Sequence, residues 1–258
     1  MRASARIVAE AGGRLPVLKC ESPLLIRRTG PIAVHLVGGA AGPLRGDELR
    51  LEIEVGPGAR LDVRSVAASL ALPGRPGPPS RLEITATVGP GGWLRWWPEP
   101  LIAARGCDHR AVTHVAAADG ATLIWRDDLV CGRHGEESGD VRTDTTVRYA
   151  GSMLYRHELA VGPAAPGWSS AAVLGRSDPA AAVPGRAGAA VPGRAGAAVL
   201  GGGRAVGTVL LAGPDLPEPA LPGSDAALMR LAGPGMLGSA VGADIRDVRA
   251  VLDPLCGA

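Results

Sequence analysis

Cys107-Asp108-His109 and Cys131-Gly132-Arg133-His134 offer two thiols and two imidazoles, donors that suit a soft or borderline metal ion. Their spacings, C-x-H and C-x2-H, differ from those of standard zinc sites. The alternative is a set of free thiols and histidines on strand edges or turns. Asp127-Asp128 and Glu136-Glu137 carry the carboxylates that acid/base work requires. Adjacent residues on a strand point to opposite faces, so neither doublet makes a catalytic pair by itself. Trp93-Leu94-Arg95-Trp96-Trp97 concentrates three of the five tryptophans. Alternation puts Trp93 and Trp97 on one face and Trp96 on the other, a pattern that fits core packing and a partner-binding surface equally. No GxSxG, P-loop, HExxH or EF-hand loop is present, and the glycines at 201–203 do not make a GxGxxG. The chain reads as a non-enzyme.

The elements that must position these groups are strands. Leu49-Arg50-Leu51-Glu52-Ile53-Glu54-Val55 alternates apolar and charged residues, as do Arg60–Arg64, Arg81–Thr85 and Asp140–Asp144. Such period-two runs are half-buried strands. Gly56-Pro57-Gly58 and Gly89-Pro90-Gly91 turn the chain directly after two of them, and Asp119-Gly120 occupies an equivalent place. Leu-Glu-Ile, then Val-Gly-Pro-Gly, then a new strand occurs at 51–61 and again at 82–94, with a degraded third copy from His114 to Trp125. A repeat of that length implies stacked units, each hiding its apolar face on its neighbour. The expected fold is mainly β, a stacked, solenoid-like (β-helix-like) arrangement of layered strands over residues 1–258 as one unit. Thr208–Leu211 is expected to be a further strand. Two short helices are expected near the C-terminus: Ala226–Leu231, capped by Ser224 or Asp225, and Ile245–Leu252, capped by Asp244. Residues 162–203 form a Pro/Gly/Ala-rich insertion that holds an octapeptide at 183–190 and again at 191–198.

Composition excludes several classes. The 258 residues include 38 Gly and 23 Pro, close to twice the ordinary share of about 12%, which rules out a helical bundle. Lys19 is the only lysine among 27 basic residues, so the abundant Arg and Gly are discounted as functional signals. Net charge is +2 with no basic stripe, which gives nucleic acid no support as a partner. No apolar run reaches the roughly 18 residues of a membrane span. The N-terminus leads into no signal-like segment, and the four cysteines form no CxxC, so a cytoplasmic protein with free thiols is expected.

The order of four segments resembles the UreD (UreH) family of urease accessory proteins. They are Gly46–Leu51 running into Val55–Leu61; Trp96-Trp97-Pro98-Glu99-Pro100-Leu101-Ile102; Trp125–Leu129 leading to Cys131-Gly132-Arg133-His134-Gly135-Glu136; and the hairpin from Arg148 to Leu159. Where the family usually carries a polar, lysine-containing run after Ala59-Arg60-Leu61, this chain has Ser65-Val66-Ala67-Ala68-Ser69-Leu70-Ala71.

The resemblance implies a β-rich scaffold that binds urease apoprotein and the accessory proteins UreF and UreG. It assists nickel incorporation, with an internal passage for the ion and no tightly bound cofactor. A passage for a dication needs inward carboxylates that bind it weakly enough to let go. By motif position the candidates are Asp47, Glu99, Asp127 and Glu136, with Arg133 as an ion-pair partner for one of them. Cys107 and His109 would be weak, transient nickel ligands, and Trp93, Trp96 and Trp97 partner-binding candidates. The rival readings are a β-solenoid carbohydrate-active enzyme and a metal-independent interaction module.

Overall fold

The computed structural model describes residues 1–166, 168, 200, 202–214, 216 and 225–257. Both copies of the octapeptide lie outside the described residues. The strands are β1 (Arg2–Glu10), β2 (Arg14–Cys20), β3 (Leu24–Arg28), β4 (Ala33–Gly38), β5 (Glu48–Val55), β6 (Arg60–Ser65), β7 (Ser69–Ala71), β8 (Ser80–Val88) and β9 (Trp93–Trp97). They continue with β10 (Leu101–Ala103), β11 (Asp108–Ala117), β12 (Thr122–Cys131), β13 (Asp140–Tyr149), β14 (Ser152–Val161), β15 (Ala205–Ala212), β16 (Ala226–Arg230) and β17 (Gly235–Gly242). One helix, α1 (Ile245–Cys256), follows.

These strands form a β-solenoid of about four turns. Each turn runs as a long strand, a glycine turn, a second strand, a corner and a short third strand: β5-β6-β7, then β8-β9-β10, then β11 with β12. The long strands stack parallel and in register, so that Ile53, Ala86, Val115 and Val147 make one inward column, and Val55, Val88, Ala117 and Tyr149 the next. The alternation read from the sequence is therefore the alternation of interior and solvent. The repeat is structural too: Gly58, Gly91 and Gly120 all adopt positive φ (63°, 64° and 71°), which a residue with a Cβ resists. The Gly58 N–H bonds to Pro90 O at 3.0 Å, tying one turn to the next.

The second sheet continues past the stack. β12 spans what are two strands in earlier turns: residues 122–125 pair with β9 and residues 129–131 with β10. This leaves Arg126, Asp127 and Asp128 at the corner between them. β15, the expected strand, pairs antiparallel with β12, and β17 and β16 extend the sheet. At the other end, β2 and β3 fold back antiparallel on β1 and β4, and Leu15, Leu18 and Leu24 pack against the core.

Only one of the two expected helices forms. Residues 226–230 are strand β16, antiparallel to β17. The Ala-Ala-Leu-Met-Arg run has good helix propensity, but propensity is a weak prior, and pairing here satisfies the outer backbone groups of β17. Of the two expected caps, Ser224 and Asp225, the first lies outside the described residues. The second helix is longer than expected and does start at Asp244. Asp244 accepts from the Arg246 N–H at 2.9 Å, and Asp247 accepts from the Asp244 N–H at 3.1 Å. Such a reciprocal cap is worth about 1 kcal/mol. α1 buries Val248, Leu252, Leu255 and Cys256 on the outer face of β15 and β17. It sits close because Gly207 and Gly238 lie beneath it. A Cβ on Gly207 would come 2.5 Å from Val248 Cγ1, and one on Gly238 would come 2.6 Å from Leu255 Cδ1.

Candidate functional site

Between the two sheets the interior does not fill completely. One packed cluster occupies the glycine-turn side, around Leu61, Leu94, Leu123 and Trp125, and a smaller one the opposite side, around Ala103, Cys131 and Val141. A cavity of about 680 Å³ lies between them, bordered by residues from the first turn to the last. Its lining changes along the stack. In the early turns it is Leu24, Leu36, Leu49, Leu51, Leu82 and Ile84. In the later turns His109, Thr113, Asp127, Thr145, Tyr155 and His157 take over, with Thr208 and Ser239 on β15 and β17. One register column records the change: Leu51, Ile84, Thr113, Thr145 and His157 are successive neighbours.

Asp127 stands where this polar half begins. Trp125 Nε1 donates to its Oδ2 at 3.0 Å, and Trp96 stacks on Trp125 with centroids 5.0 Å apart and planes at 13°. Stacking of this kind adds about 0.5–1.5 kcal/mol and fixes the indole that aims at the carboxylate. The two sheets enclose Asp127, and the surface it keeps open faces the cavity. Burial pushes its carboxyl up to about 6, against the opposing pull of the Trp125 indole N–H. Trp96 also borders the cavity, and its Nε1 makes no hydrogen bond among the described residues.

On the opposite face of β12, a buried ion pair holds the corner. Arg126, fully buried, donates from Nε to both oxygens of Asp128 at 3.0 Å and from Nη1 to Asp253 of α1 at 2.7 Å. Burial works against its charge, but Asp128 outweighs that and the guanidinium pKa is raised. Arg126 and Asp128 thus lock the strand segment from which Asp127 projects.

The other sequence candidates distribute as follows. Glu99 borders the cavity and pairs with Arg249 of α1. Asp47 does not border it: its carboxylate accepts from the Met1 ammonium at 2.7 Å and the Leu44 N–H at 2.9 Å, stapling β1 to the β4–β5 connection. Glu136 lies outside it as well, in the loop joining β12 to β13. There Arg133 donates to it at 2.6 and 2.8 Å, which holds its carboxyl down at about 2. The segment Gly132-Arg133-His134-Gly135-Glu136 is a closed loop: Gly132 has φ 76°, and a Cβ there would strike Glu136 O. Arg204 adds bonds to Cys131 O at 2.8 Å and Arg133 O at 3.0 Å.

The Cys/His pairs do not converge. Cys107 and Cys131 share one buried apolar cluster, whereas His109 borders the cavity and His134 is exposed. Burial pushes the Cys107 thiol up to about 12, so it is not a thiolate at neutral pH. His109 Nδ1 bonds with Ser80 Oγ at 2.9 Å, and burial lowers its pKa to about 4, leaving a neutral imidazole. Among the described residues no group of three or more His, Cys, Asp or Glu is arranged to hold a metal. Trp93 and Trp97 face outward on β9, while Trp96 is in the core, the split that alternation predicts.

Sequence reasoning missed Arg126, Tyr155, His157 and Thr145. The last three follow strand alternation, but a register shift between Val147 and Arg148 breaks a simple count from the hairpin turn. Arg126 carries no signal of its own in a chain where 26 of the 27 basic residues are arginine.

A family model described as UreD urease accessory protein matches residues 2–258. The chain is 44% identical to urease accessory protein UreD 3 of Streptomyces griseus, covering 98% of this chain and 95% of that one. It is 43% identical to urease accessory protein UreD of a Parafrankia species, covering 99% and 87%. With urease accessory protein UreD of Frankia alni it shares 38% identity, covering 98% and 93%.

Proposed function

Because this chain belongs to the UreD family of urease accessory proteins, we propose that it is a scaffold that carries nickel through its interior during urease maturation. Its accessory role in maturation comes with the family. The passage, the nickel cargo and the binding of urease apoprotein and of UreF and UreG are the finer reading. The observation that carries it is the cavity of about 680 Å³ that reaches from the first turn to the last, with Asp127 on its wall. A transit route must hold its ion weakly. One buried carboxylate, neutral imidazoles and hydroxyls do that, whereas a complete ligand set would trap the cargo. The two stacked indoles keep the carboxylate in place without supplying competing ligands. Glu99 stands on the same wall, tied to α1, so partner contacts on the helix would reach the passage directly.

Ala111 borders the cavity on β11. Ala111→Trp fills the cavity at that level without touching an ion pair. In cells carrying the urease genes, the variant should still co-purify with its partners while urease is recovered nickel-poor and inactive. Full nickel loading with Ala111→Trp contradicts an internal route. Among the described residues no helix is long and apolar enough to cross a membrane.

A further inference from the structure

The outer face of β6 and β9, beside the area that α1 covers, carries an array that the passage does not use. Parallel pairing sets Arg60 beside Trp93, Asp62 beside Arg95 and Arg64 beside Trp97. The Arg60 guanidinium lies 4.5 Å from the Trp93 ring centroid, and that of Arg64 lies 5.0 Å from Trp97. Arg95 stands between the two rings, 5.4 Å from Trp93 and 5.7 Å from Trp97. A single carboxylate, Asp62, serves both Arg95 at 2.7 Å and Arg64 at 3.2 Å. The register then runs on from Arg64 through His35 of β4 to Arg27 of β3. Arg27 and Arg60 are both exposed, and among the described residues neither has a carboxylate partner.

The face therefore has more cations than anions, with the guanidiniums of Arg60, Arg64 and Arg95 already held over aromatic rings. A guanidinium held this way has lost its rotational freedom before any partner arrives, so pairing costs less order. Trp and Arg are also the side chains that dominate protein interfaces. We propose that this face docks an acidic, extended segment of a partner protein, its carboxylates on Arg60, Arg64 and Arg27 and its apolar groups on Trp93 and Trp97. Arg60 and Arg64 are separated by four residues of strand, about 13 Å, the spacing of carboxylates four residues apart on an extended partner. A protein segment is favoured over nucleic acid because the array spans four adjacent strands, about 14 Å across, and joins no longer basic stripe for phosphates to track. The inference deepens the partner-binding reading and rests on it for the partner's role.

The test uses the whole chain and three fluorescein-labelled probes: a twelve-residue peptide alternating Glu and Ser, its Gln/Ser counterpart, and a single-stranded oligonucleotide of equal charge. Anisotropy should detect binding of the acidic peptide, weakening as salt rises, and none of the Gln/Ser peptide. Arg27→Glu combined with Arg60→Glu should weaken acidic-peptide binding at least ten-fold with the melting temperature unchanged. Arg60→Gln alone should weaken it less. Equal binding by the double variant, tighter binding of the oligonucleotide, or no binding of the acidic peptide overturns the proposal. Since no urease is present, failure here is distinct from failure of the maturation reading, which the nickel content of urease decides.

Discussion

Asp127 and Glu136 lie on the same stretch of chain, and motif position nominates both, yet the fold places them in opposite surroundings. Asp127 is enclosed between two sheets with one indole donor, and burial pushes it up to about 6. Glu136 closes a surface loop against Arg133 and is held down at about 2. A carboxylate that is costly to ionise and faces open interior space is poised to exchange a proton for a passing cation. One already neutralised by a guanidinium is a clasp. Under the proposed function, the contrast puts transit at the β12 corner and loop closure in the segment that follows it.

The largest effect expected concerns what holds that corner. Arg126→Met strips Asp128 of its guanidinium in an interior where both side chains are at most 1% exposed. Removing one partner of a buried pair costs about 3–5 kcal/mol, so urea unfolding should show a loss of that size. An unchanged midpoint would mean that the corner is not held by this pair, and that Asp127 is aimed by something else.

A smaller effect, of opposite sign at the two carboxylates, appears in stability against pH. Asp127 has an ordinary value of 3.8 and a folded value of about 6. Its folded pKa is raised, so the native state holds the proton more tightly. Its contribution is fully present below pH 3.8 and is lost as pH rises through 6. Asp127→Asn should therefore unfold later than the wild type at pH 8, by up to about 3 kcal/mol, and no later at pH 3.5. Glu136 runs the other way, from an ordinary 4.5 to about 2. Its contribution is present above pH 4.5 and is lost as pH falls through 2. Glu136→Gln should cost about 0.5–1 kcal/mol at neutral pH, the ordinary worth of a surface pair, and nothing near pH 2. Parallel pH profiles for the two variants would erase the distinction between corner and loop.

Much of the fold was legible in the sequence because a solenoid repeats its local rules. Alternation named the inward residues of β5, β8 and β13, and Gly58, Gly91 and Gly120 marked the turns that stack. The helix expected at 226–231 failed where a non-local demand, pairing with β17, overrode local propensity. The site was legible only in part. Asp127 and Glu99 were named, but so were Asp47 and Glu136, because motif position does not report which side of a wall a residue occupies. His157 and Asp253 join the site through pairings with Thr145 and Arg126, and the second of those spans more than a hundred residues of chain. No local pattern encodes that.

The most direct measurement is nickel per urease in cells that carry the urease genes with the wild-type chain, with Asp127→Asn, or with Glu136→Gln, after confirming that each chain co-purifies with its partners. The account predicts nickel-poor urease with Asp127→Asn and normal loading with Glu136→Gln. Normal loading with Asp127→Asn, or equal loss with both, would contradict a passage whose wall carboxylate is Asp127.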